Sequence, residues 1–391
     1  MVDTWAQLIS RIRDGSDFYG TPGSGDDGKV ITYDYANDRF QLETPSAASS
    51  AIEPVSYVLY TDGTDVFIRD RTGALITSAG ISTGLAVCLN YVMADNITVF
   101  MHPGNYTLSA TVDIHHSNVE IVGINKGVVI KAVNSLNDEC FYINGSGIVG
   151  CRLSNFILDG NKANQTSGIG IKIETPYSTT DAHHLLDRLH LRNFKGNGIV
   201  ISGDTRCCRL DHVRVMSGDA EGYNLAGSDH ILYDCVAGVN LNGGFNISAG
   251  NIKLFGCKAF NNGQTSGSGF YVVGDRGSYF SCEAKDNSQD GFVLDGADNC
   301  IFYGLTADSN GRDTEWCSGL VIYNSNNNVI HGGAFFDRED SPTQYFGDHL
   351  IGTSTDNKII FGSYSGNAGT AYYDESSGSN YHVTIVHDGP S

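Results

Sequence analysis

Carboxylates are the side chains of this sequence best suited to hydrolysis, because one carboxyl can donate a proton while another acts as base or nucleophile. The catalytic candidates are Asp219, Glu221, Asp290 and Asp295, with Asp313 and Glu315 as a further pair. Asp290 and Asp295 are five residues apart, roughly 16 Å on an extended strand, so any working pair must form between different segments. The alternative is turn chemistry, since Asp and Asn favour turns by bonding their own backbone.

A second group mixes imidazoles and guanidinium groups at alternate positions. These side chains are Arg188, His190, Arg192, His212 and Arg214, flanked by Asp159 and Asp234. β-Elimination on a uronate needs a base at C5 and a cation at the carboxylate, and His and Arg fit those roles. We therefore take His190, His212 and Arg214 as catalytic candidates that would stack together. The alternative is a salt-bridged ladder or a contact between protomers.

A repeat positions both groups. Six times the chain has glycine, an apolar residue, any residue and a second apolar residue, at spacings of 22 to 28 residues: Gly198–Ile201, Gly222–Leu225, Gly244–Ile247, Gly269–Val272, Gly291–Leu294 and Gly319–Ile322. Such a period predicts a stacked β-coil solenoid. Neighbouring coils must stack at the ~4.8 Å strand spacing to bury their apolar faces.

The alternation also predicts which side chains reach solvent. Residues between the two apolar positions point outward, which gives the substrate-binding candidates Asn224, Asn246, Tyr271 and Tyr323. Long loops at 174–184, 308–318 and 336–346 predict walls at both ends of this face. Tyr177 and Trp316 lie on those walls, where aromatic rings can stack on sugars. The alternative for Trp316 is a cap over the flank of the solenoid.

Two further columns are predicted to be structural. Asn240, Asn262, Asn287 and Asn310 recur at one turn position, where their amides can bond coil to coil. Cys235, Cys257 and Cys282 recur at an inward position, which favours reduced cysteines that pack as small hydrophobes. We assign neither column a catalytic role.

The chain divides into three predicted parts. Residues 1–50 form a leader or attachment segment with a short helix at 5–12 and a β-hairpin at 29–42. Residues 51–94 hold a second hairpin and a helix from the N-cap Ser82 to about Met93, which would cover the open end of the solenoid. Residues 95–391 form the β-helix. The start lacks the basic and apolar regions of a secretion signal.

The charge limits the partners. The formal net charge is −20 with only 17% charged residues, which argues against nucleic acid and anionic membranes. The uncharged stretch 72–94 contains too many polar residues for a good membrane span. No motif indicates a metal or other cofactor, and calcium is left open.

Three segments carry a family resemblance: Val99–Leu108 (VFMHPGNYTL), Val119–Gly123 (VEIVG) and Leu158–Gln165 (LDGNKANQ). They resemble the first coils of the pectin-lyase-like superfamily over about residues 75–380. The resemblance implies an all-β, right-handed parallel β-helix with an N-terminal α-helical cap and a small β-hairpin leader. It implies binding and cleavage of a polysaccharide by a glycoside hydrolase or polysaccharide lyase.

The segment at 25–33 resembles parts of virion appendage proteins, so the resemblance extends to a virion spike, a virion or extracellular location and a homotrimer. The alternative function is a non-catalytic, glycan-binding or structural virion adhesin. A uronan C5-epimerase is third: those relatives place Tyr before the motif glycine, Asp two and His four after it, and an Asp in the next coil. No coil here has that set, and Asp295 alone fits it. The tandem Asp-Asp of polygalacturonase-like hydrolases is also absent.

Overall fold

The computed structural model describes residues 30–34, 39–43, 56–80, 84–178, 180–263 and 267–384. The helix predicted at 5–12 and the N-cap predicted at Ser82 lie outside the described residues. Strands Val30–Asp34 and Arg39–Glu43 pair in antiparallel fashion, at the place predicted for the first hairpin.

About eleven coils, each built from short strands, follow one another from residue 98 onward. Strands one coil apart pair in parallel and form three sheets, so the fold is a parallel β-helix of the right-handed type. The first sheet comprises Thr98–Met101, Glu120–Gly123, Arg152–Ser154, Leu185–Asp187, Arg209–Asp211, Ile231–Tyr233, Lys253–Phe255, Ser278–Phe280, Ile301–Tyr303, Val329–His331, Lys358–Ser365 and Tyr381–Thr384.

The other two sheets run beside it. The second comprises Gly104–Leu108, Val128–Ala132, Ile157–Asp159, His190–Arg192, Arg214–Met216, Val236–Gly238, Lys258–Phe260, Glu283–Lys285, Thr306–Asp308 and Ala334–Phe336, and Lys358–Ser365 joins it to the first. The third comprises Val112–Ile114, Phe141–Asn144, Ile171–Glu174, Ile199–Ile201, Tyr223–Leu225, Phe245–Ile247, Phe270–Val272, Phe292–Asp295, Ser318–Tyr323, Phe346–Ile351 and Tyr372–Asp374. A short 3-10 helix spans Lys162–Asn164.

The predicted inward column of the third sheet is the core of the molecule. Phe245, Phe270 and Phe292 are buried, and successive rings stack with centroids 4.7 and 4.8 Å apart. The rings follow the spacing of the coils because each strand is in register with the next. The period-two prediction of inward and outward positions is confirmed for these strands.

The predicted asparagine ladder is also confirmed. Asn262 donates its side-chain N–H to Asn287 Oδ1 at 3.1 Å and to the carbonyl of Ala237 at 3.0 Å, and its Oδ1 accepts from Asn240. These groups are buried, so each bond satisfies atoms that water cannot reach. A second ladder, Asn328–Asn357–Asn380, was not predicted.

All ten cysteines lie within the described residues and are free, and nine of them are buried. The column Cys235, Cys257 and Cys282 is fully enclosed. Burial raises the pKa of the Cys235 and Cys257 thiols well above the usual value, so they remain thiols and pack as predicted.

A left-handed residue turns the chain between the first and second sheets in successive coils. The backbone φ is 49° at Arg188, 52° at His212, 47° at Asp234 and 63° at Gly256. This single residue forms a corner that connects two short strands directly, without a loop. It also decides where the charged side chains of this region stand, as described below.

The N-terminal segment joins the solenoid through its first sheet. Tyr57–Thr61, Asp65–Asp70 and Leu75–Gly80 form an antiparallel unit, and Tyr57–Thr61 pairs in parallel with Thr98–Met101. Helix Gly84–Val92 packs against this unit and the first coil, burying side chains such as that of Leu89. Its role as a cap stays a prediction. No helix of the described chain is long and apolar enough to cross a membrane.

Candidate functional site

A groove lies on the outer face of the third sheet, along the edge where its strands begin. Its volume is about 410 Å³. Amide and carboxyl side chains and the ring of Tyr271 line it. The full set of lining residues is Glu221, Asn242, Gly243, Phe245, Asn246, Gly267, Ser268, Tyr271, Gln289, Asp290 and Val293, of which Phe245 has its side chain in the core. We call it the third-sheet groove.

The repeated motif glycine explains why the coils stack closely at this edge. A Cβ on Gly244 would lie 2.4 Å from the carbonyl oxygen of Gly269, and one on Gly269 would lie 2.7 Å from that of Gly291. Only glycine allows that approach. The residue before each glycine therefore stands in one column, which runs Glu221, Gly243, Ser268 and Asp290.

Asp290 is the most perturbed carboxyl of the groove. Burial raises its pKa to about 6, and a hydrogen bond from the backbone N–H of Ser318 to Oδ1, 2.7 Å long, opposes part of that shift. No neighbouring charge contributes to the shift. A carboxyl with this pKa can hold a proton near neutral pH, as a general acid must.

Glu221 lines the same groove but stands three coils away. At the ~4.8 Å spacing of coils the two side chains are roughly 14 Å apart. Retaining glycosidases hold their carboxyl groups ~5.5 Å apart and inverting enzymes about 6.5–9.5 Å apart. Glu221 and Asp290 therefore cannot serve as the two carboxyls acting on one glycosidic bond.

Asp295 and Asp219, the other two predicted carboxylates, each have a bonded partner. Asp295 accepts a hydrogen bond from the hydroxyl of Tyr271, which raises the pKa of Tyr271 to about 12. Asp219 lies between Lys162 and Lys195, with Nζ–Oδ distances of 2.8 and 2.7 Å. Burial alone would raise the pKa of Asp219, but the two lysine hydrogen bonds outweigh it and hold the pKa below its usual range.

Most of the predicted sugar-binding side chains lie on the outer face of the third sheet. Asn224, Asn246 and Tyr271 form one column, and Tyr323 lies opposite Asp295 in the next coil. Asn246 and Tyr271 line the groove.

The two wall aromatics differ. Trp316 is 61% exposed, its ring centroid is 4.2 Å from that of Tyr345, and both line a second cavity of about 480 Å³. The exposure favours a platform over a flank cap. Tyr177 has the Arg206 guanidinium 4.2 Å from its ring centroid, so one face of that ring is occupied.

The cationic group on the second sheet is arranged differently from the prediction. His190 stands opposite Arg214 in the register, whereas His212 occupies the left-handed corner and contacts Asp211 at 2.6 Å and Asp234 at 3.4 Å. The two imidazoles therefore do not stack.

We call Arg188, His190, Arg192, His212 and Arg214 the second-sheet patch, and two of its three guanidinium groups are paired with carboxylates. Arg192 bonds Asp159 at 2.8 Å and Arg188 bonds Asp187 at 2.7 Å. Burial, followed by the charges of Arg214, Arg192 and Lys126, lowers the pKa of His190.

A cluster of contacting side chains at the N-terminal end of the third sheet was not predicted from the sequence. The Tyr142 hydroxyl donates to Glu174, and Lys172 Nζ lies 2.9 Å from Glu174 and 4.7 Å from the ring centroid of Tyr142. Beside it, a hydrogen bond with Asp138 raises the pKa of Glu139. Coil-by-coil alignment of outward residues would have placed Tyr142 beside Lys172. Within the described ranges, no group of His, Cys, Asp or Glu is arranged to hold a metal ion.

Comparisons by sequence found no match, either to a family model or to a curated protein. Solved structures do match. The A-module of Azotobacter vinelandii mannuronan C-5 epimerase AlgE6 superposes with a TM-score of 0.57 at 16% identity, over 79% of this chain and 95% of that one.

Two phage proteins match similarly. The enzymatically active domain of bacteriophage CBA120 tailspike protein 2 gives a TM-score of 0.58 at 15% identity over 78% of this chain and 50% of that one. ORF18 of Geobacillus virus E2 gives 0.54 at 15% identity, over 97% and 74%. At these identities the likeness concerns the fold alone, and the chain has the fold of a parallel β-helix.

Proposed function

We propose that this protein binds a polysaccharide along the third-sheet groove and cleaves it, with Asp290 as the proton donor to the glycosidic oxygen. The observation that carries the proposal is the position of the half-buried Asp290 carboxyl in a groove lined by amide and aromatic side chains, and burial raises its pKa to about 6. One protein of this fold supports the substrate class by its name, since it is a mannuronan epimerase, and another, a tailspike domain named as enzymatically active, supports an enzymatic activity.

The lining of the groove suits a sugar chain. Asn242, Asn246 and Gln289 offer amide donors and acceptors, and Tyr271 adds an aromatic ring. In the proposed step the C–O bond to the leaving sugar breaks, Asp290 protonates the leaving oxygen, and water adds to the anomeric carbon. The added water releases one proton to solvent, from which the Asp290 carboxylate is protonated again. Glu221 stands too far away to activate that water, so we assign Glu221 to a neighbouring sugar-binding subsite.

The test measures new reducing ends and the ultraviolet absorbance of a new double bond on a panel of polysaccharides. We expect reducing ends without new absorbance. Asp290→Asn should lower the rate at least a hundredfold, the range of general-acid catalysis, while binding is retained. The matched control Glu221→Gln, from the same column, should weaken binding more than it lowers kcat. Wild-type rates for Asp290→Asn would refute the assignment.

The second candidate is a glycan-binding adhesin without catalysis. The roughly 14 Å between Glu221 and Asp290 favours it, because no second carboxyl of the groove reaches the same bond. Binding without reducing ends on every polymer would establish it. New double bonds would instead indicate a lyase. The uronan C5-epimerase remains third, and we retain a virion or extracellular location and a homotrimer as proposals.

A further inference from the structure

The third-sheet groove carries charge of one sign only. Of the residues that line it, Glu221 and Asp290 are acidic, and none is Lys, Arg or His. The Glu221 carboxylate forms no ion pair or hydrogen bond with another described residue. Asp290 accepts hydrogen bonds from backbone N–H groups, including that of Ser318. Among the described residues that line the groove, no positive side chain therefore offsets these two carboxyls.

Positive side chains elsewhere along the third sheet already have partners. Within its described strands the only Lys, Arg or His residues are Lys172 and His349. Lys172 Nζ lies 2.9 Å, and His349 Nε2 3.0 Å, from a glutamate carboxylate. In the turns that lead into the sheet, Lys162 and Lys195 share the carboxylate of Asp219. These cations are neutralised within the chain and are not available to an acidic ligand.

A cavity beside the groove, toward the N-terminal coils, has the same character. Its volume is about 530 Å³, and Asn197 in its lining accepts a hydrogen bond from the backbone N–H of Glu221 at 3.1 Å. Asp138 and Glu139 also line it, and the one cation among its described lining residues is the ion-paired Lys195. A sugar chain that extends beyond the groove in this direction therefore meets further carboxylates.

The charge of the groove determines which sugars it can accept. A uronate, sulfate or phosphate group would face carboxylates without a compensating cation, and like charges repel strongly where water is excluded. An uncharged sugar instead offers hydroxyl donors, whose hydrogen bonds to carboxylates are charge-assisted. Elimination and C5 epimerisation act on uronates and need a cation to stabilise the charge that develops. The groove therefore suits neither reaction.

We propose that the polysaccharide bound in the third-sheet groove carries no acidic groups. This inference rests on the proposed function, since it takes the groove to be the polysaccharide site. The sugars donate hydroxyl hydrogen bonds to Glu221 and Asp290, and a sugar ring packs against Tyr271. An acidic polymer of the same shape is excluded by its charge, which separates this inference from a preference for one sugar configuration.

The first test compares polymers that differ only in charge. Each neutral polymer of the panel is paired with its own C6-oxidised form, and β-1,4-mannan with mannuronan is one such pair. Titration calorimetry at pH 7 measures binding, and the reducing-end assay measures cleavage. At about 0.1 M salt the neutral member should bind at least about tenfold more tightly, and the gap should narrow at about 1 M, where the Debye length falls from about 10 to 3 Å.

The outcomes separate this inference from the proposed cleavage. Equal or tighter binding of the acidic members overturns the inference, and reducing ends formed from those same members leave the cleavage in place. Preferential binding of the neutral members without reducing ends supports the inference and refutes the cleavage. Binding to neither member of any pair removes the polysaccharide site and with it the inference.

The second test adds a positive charge to the groove. Asn246→Lys should tighten binding of the acidic members at least about fivefold at about 0.1 M salt, and this gain should disappear at about 1 M. Tyr91→Lys is the matched control, since it changes the net charge equally at a residue 68% exposed on helix Gly84–Val92, beside the first coil. Circular dichroism and retained binding of the neutral member identify variants that fold.

Glu221→Gln keeps the test decisive if Asn246→Lys does not fold. It removes one negative charge at nearly constant volume, so it should weaken the neutral member, tighten the acidic member and reduce the ratio of their affinities. An unchanged ratio in Glu221→Gln overturns the inference. So does an equal gain in Asn246→Lys and Tyr91→Lys, because the net charge of the chain would then explain the preference without the groove.

Discussion

The third-sheet groove and the second-sheet patch each collect titratable side chains at positions that the sequence predicts to face outward. In the structure they differ in pairing. Arg188 and Arg192 of the patch bond carboxylates directly, and His212 contacts two. Among the described residues no charged group pairs with Asp290 in the groove, and burial raises its pKa.

This difference separates the charges that hold the solenoid together from those that are available for chemistry. Parallel strands bring like positions of successive coils to within ~4.8 Å of each other, so unpaired like charges there would repel. Paired charges remove that repulsion and are poor acids or bases. At Asp290, burial instead destabilises the charged carboxylate. A purely structural role does not require this, whereas functional sites often show it.

The pH dependence of Asp290 gives the largest expected effect. Its pKa is raised from 3.8 to about 6, so the acid is protonated below pH 6 and its catalysis should fall about tenfold per pH unit above it. A bell-shaped or falling rate profile from pH 5 to 8 with an apparent pKa near 6 would support this role. A rate that is constant across that range would place catalysis elsewhere.

The same shift predicts that stability, like catalysis, falls as pH rises. The folded state binds more protons than the unfolded state between the two pKa values, so this stabilisation is complete below pH 3.8 and is lost as pH rises through about 6. At 1.36 kcal/mol per unit, the loss is up to about 3 kcal/mol. Asp290→Asn cannot ionise, so its free energy of unfolding should exceed that of the wild type at pH 8 and match it at pH 3.5. Denaturant titrations at both values would check this.

Part of the difference between the groove and the patch could be predicted from the sequence. The two-residue alternation places Phe245 and Phe270 inside, because strand side chains alternate strictly. The repeat puts Glu221 and Asp290 at one shared position, directly before a motif glycine. The burial of Asp290 was not available, since it depends on the coil that carries Ser318. Nor was the corner at His212 readable, because a left-handed residue outside glycine has no reliable sequence signal.

A smaller effect, on polysaccharide binding, is expected when the exposed ring of Trp316 is removed. Trp316 is exposed and adjoins Tyr345 in a cavity of its own. Losing one sugar-stacking ring costs about 1 kcal/mol, so Trp316→Ala should weaken polysaccharide binding roughly five- to tenfold with kcat unchanged. Titration calorimetry with a bound oligosaccharide would measure it, and Tyr91→Ala on the helix is the control. Unchanged affinity would mean that Trp316 is a structural cap.

The smallest effect belongs to the patch, where Arg192→Ala should reduce stability by about 1 kcal/mol and leave the rate unchanged. Arg192 is 41% exposed, and its partner Asp159 keeps hydrogen bonds from Asn161 and Asn193 after the change. The carboxylate therefore stays satisfied, which limits the loss. Urea unfolding and the reducing-end assay report the two quantities separately. A large loss of rate at unchanged stability would move the chemistry from the groove to the patch, because a structural ion pair has no means of affecting a reaction on another sheet.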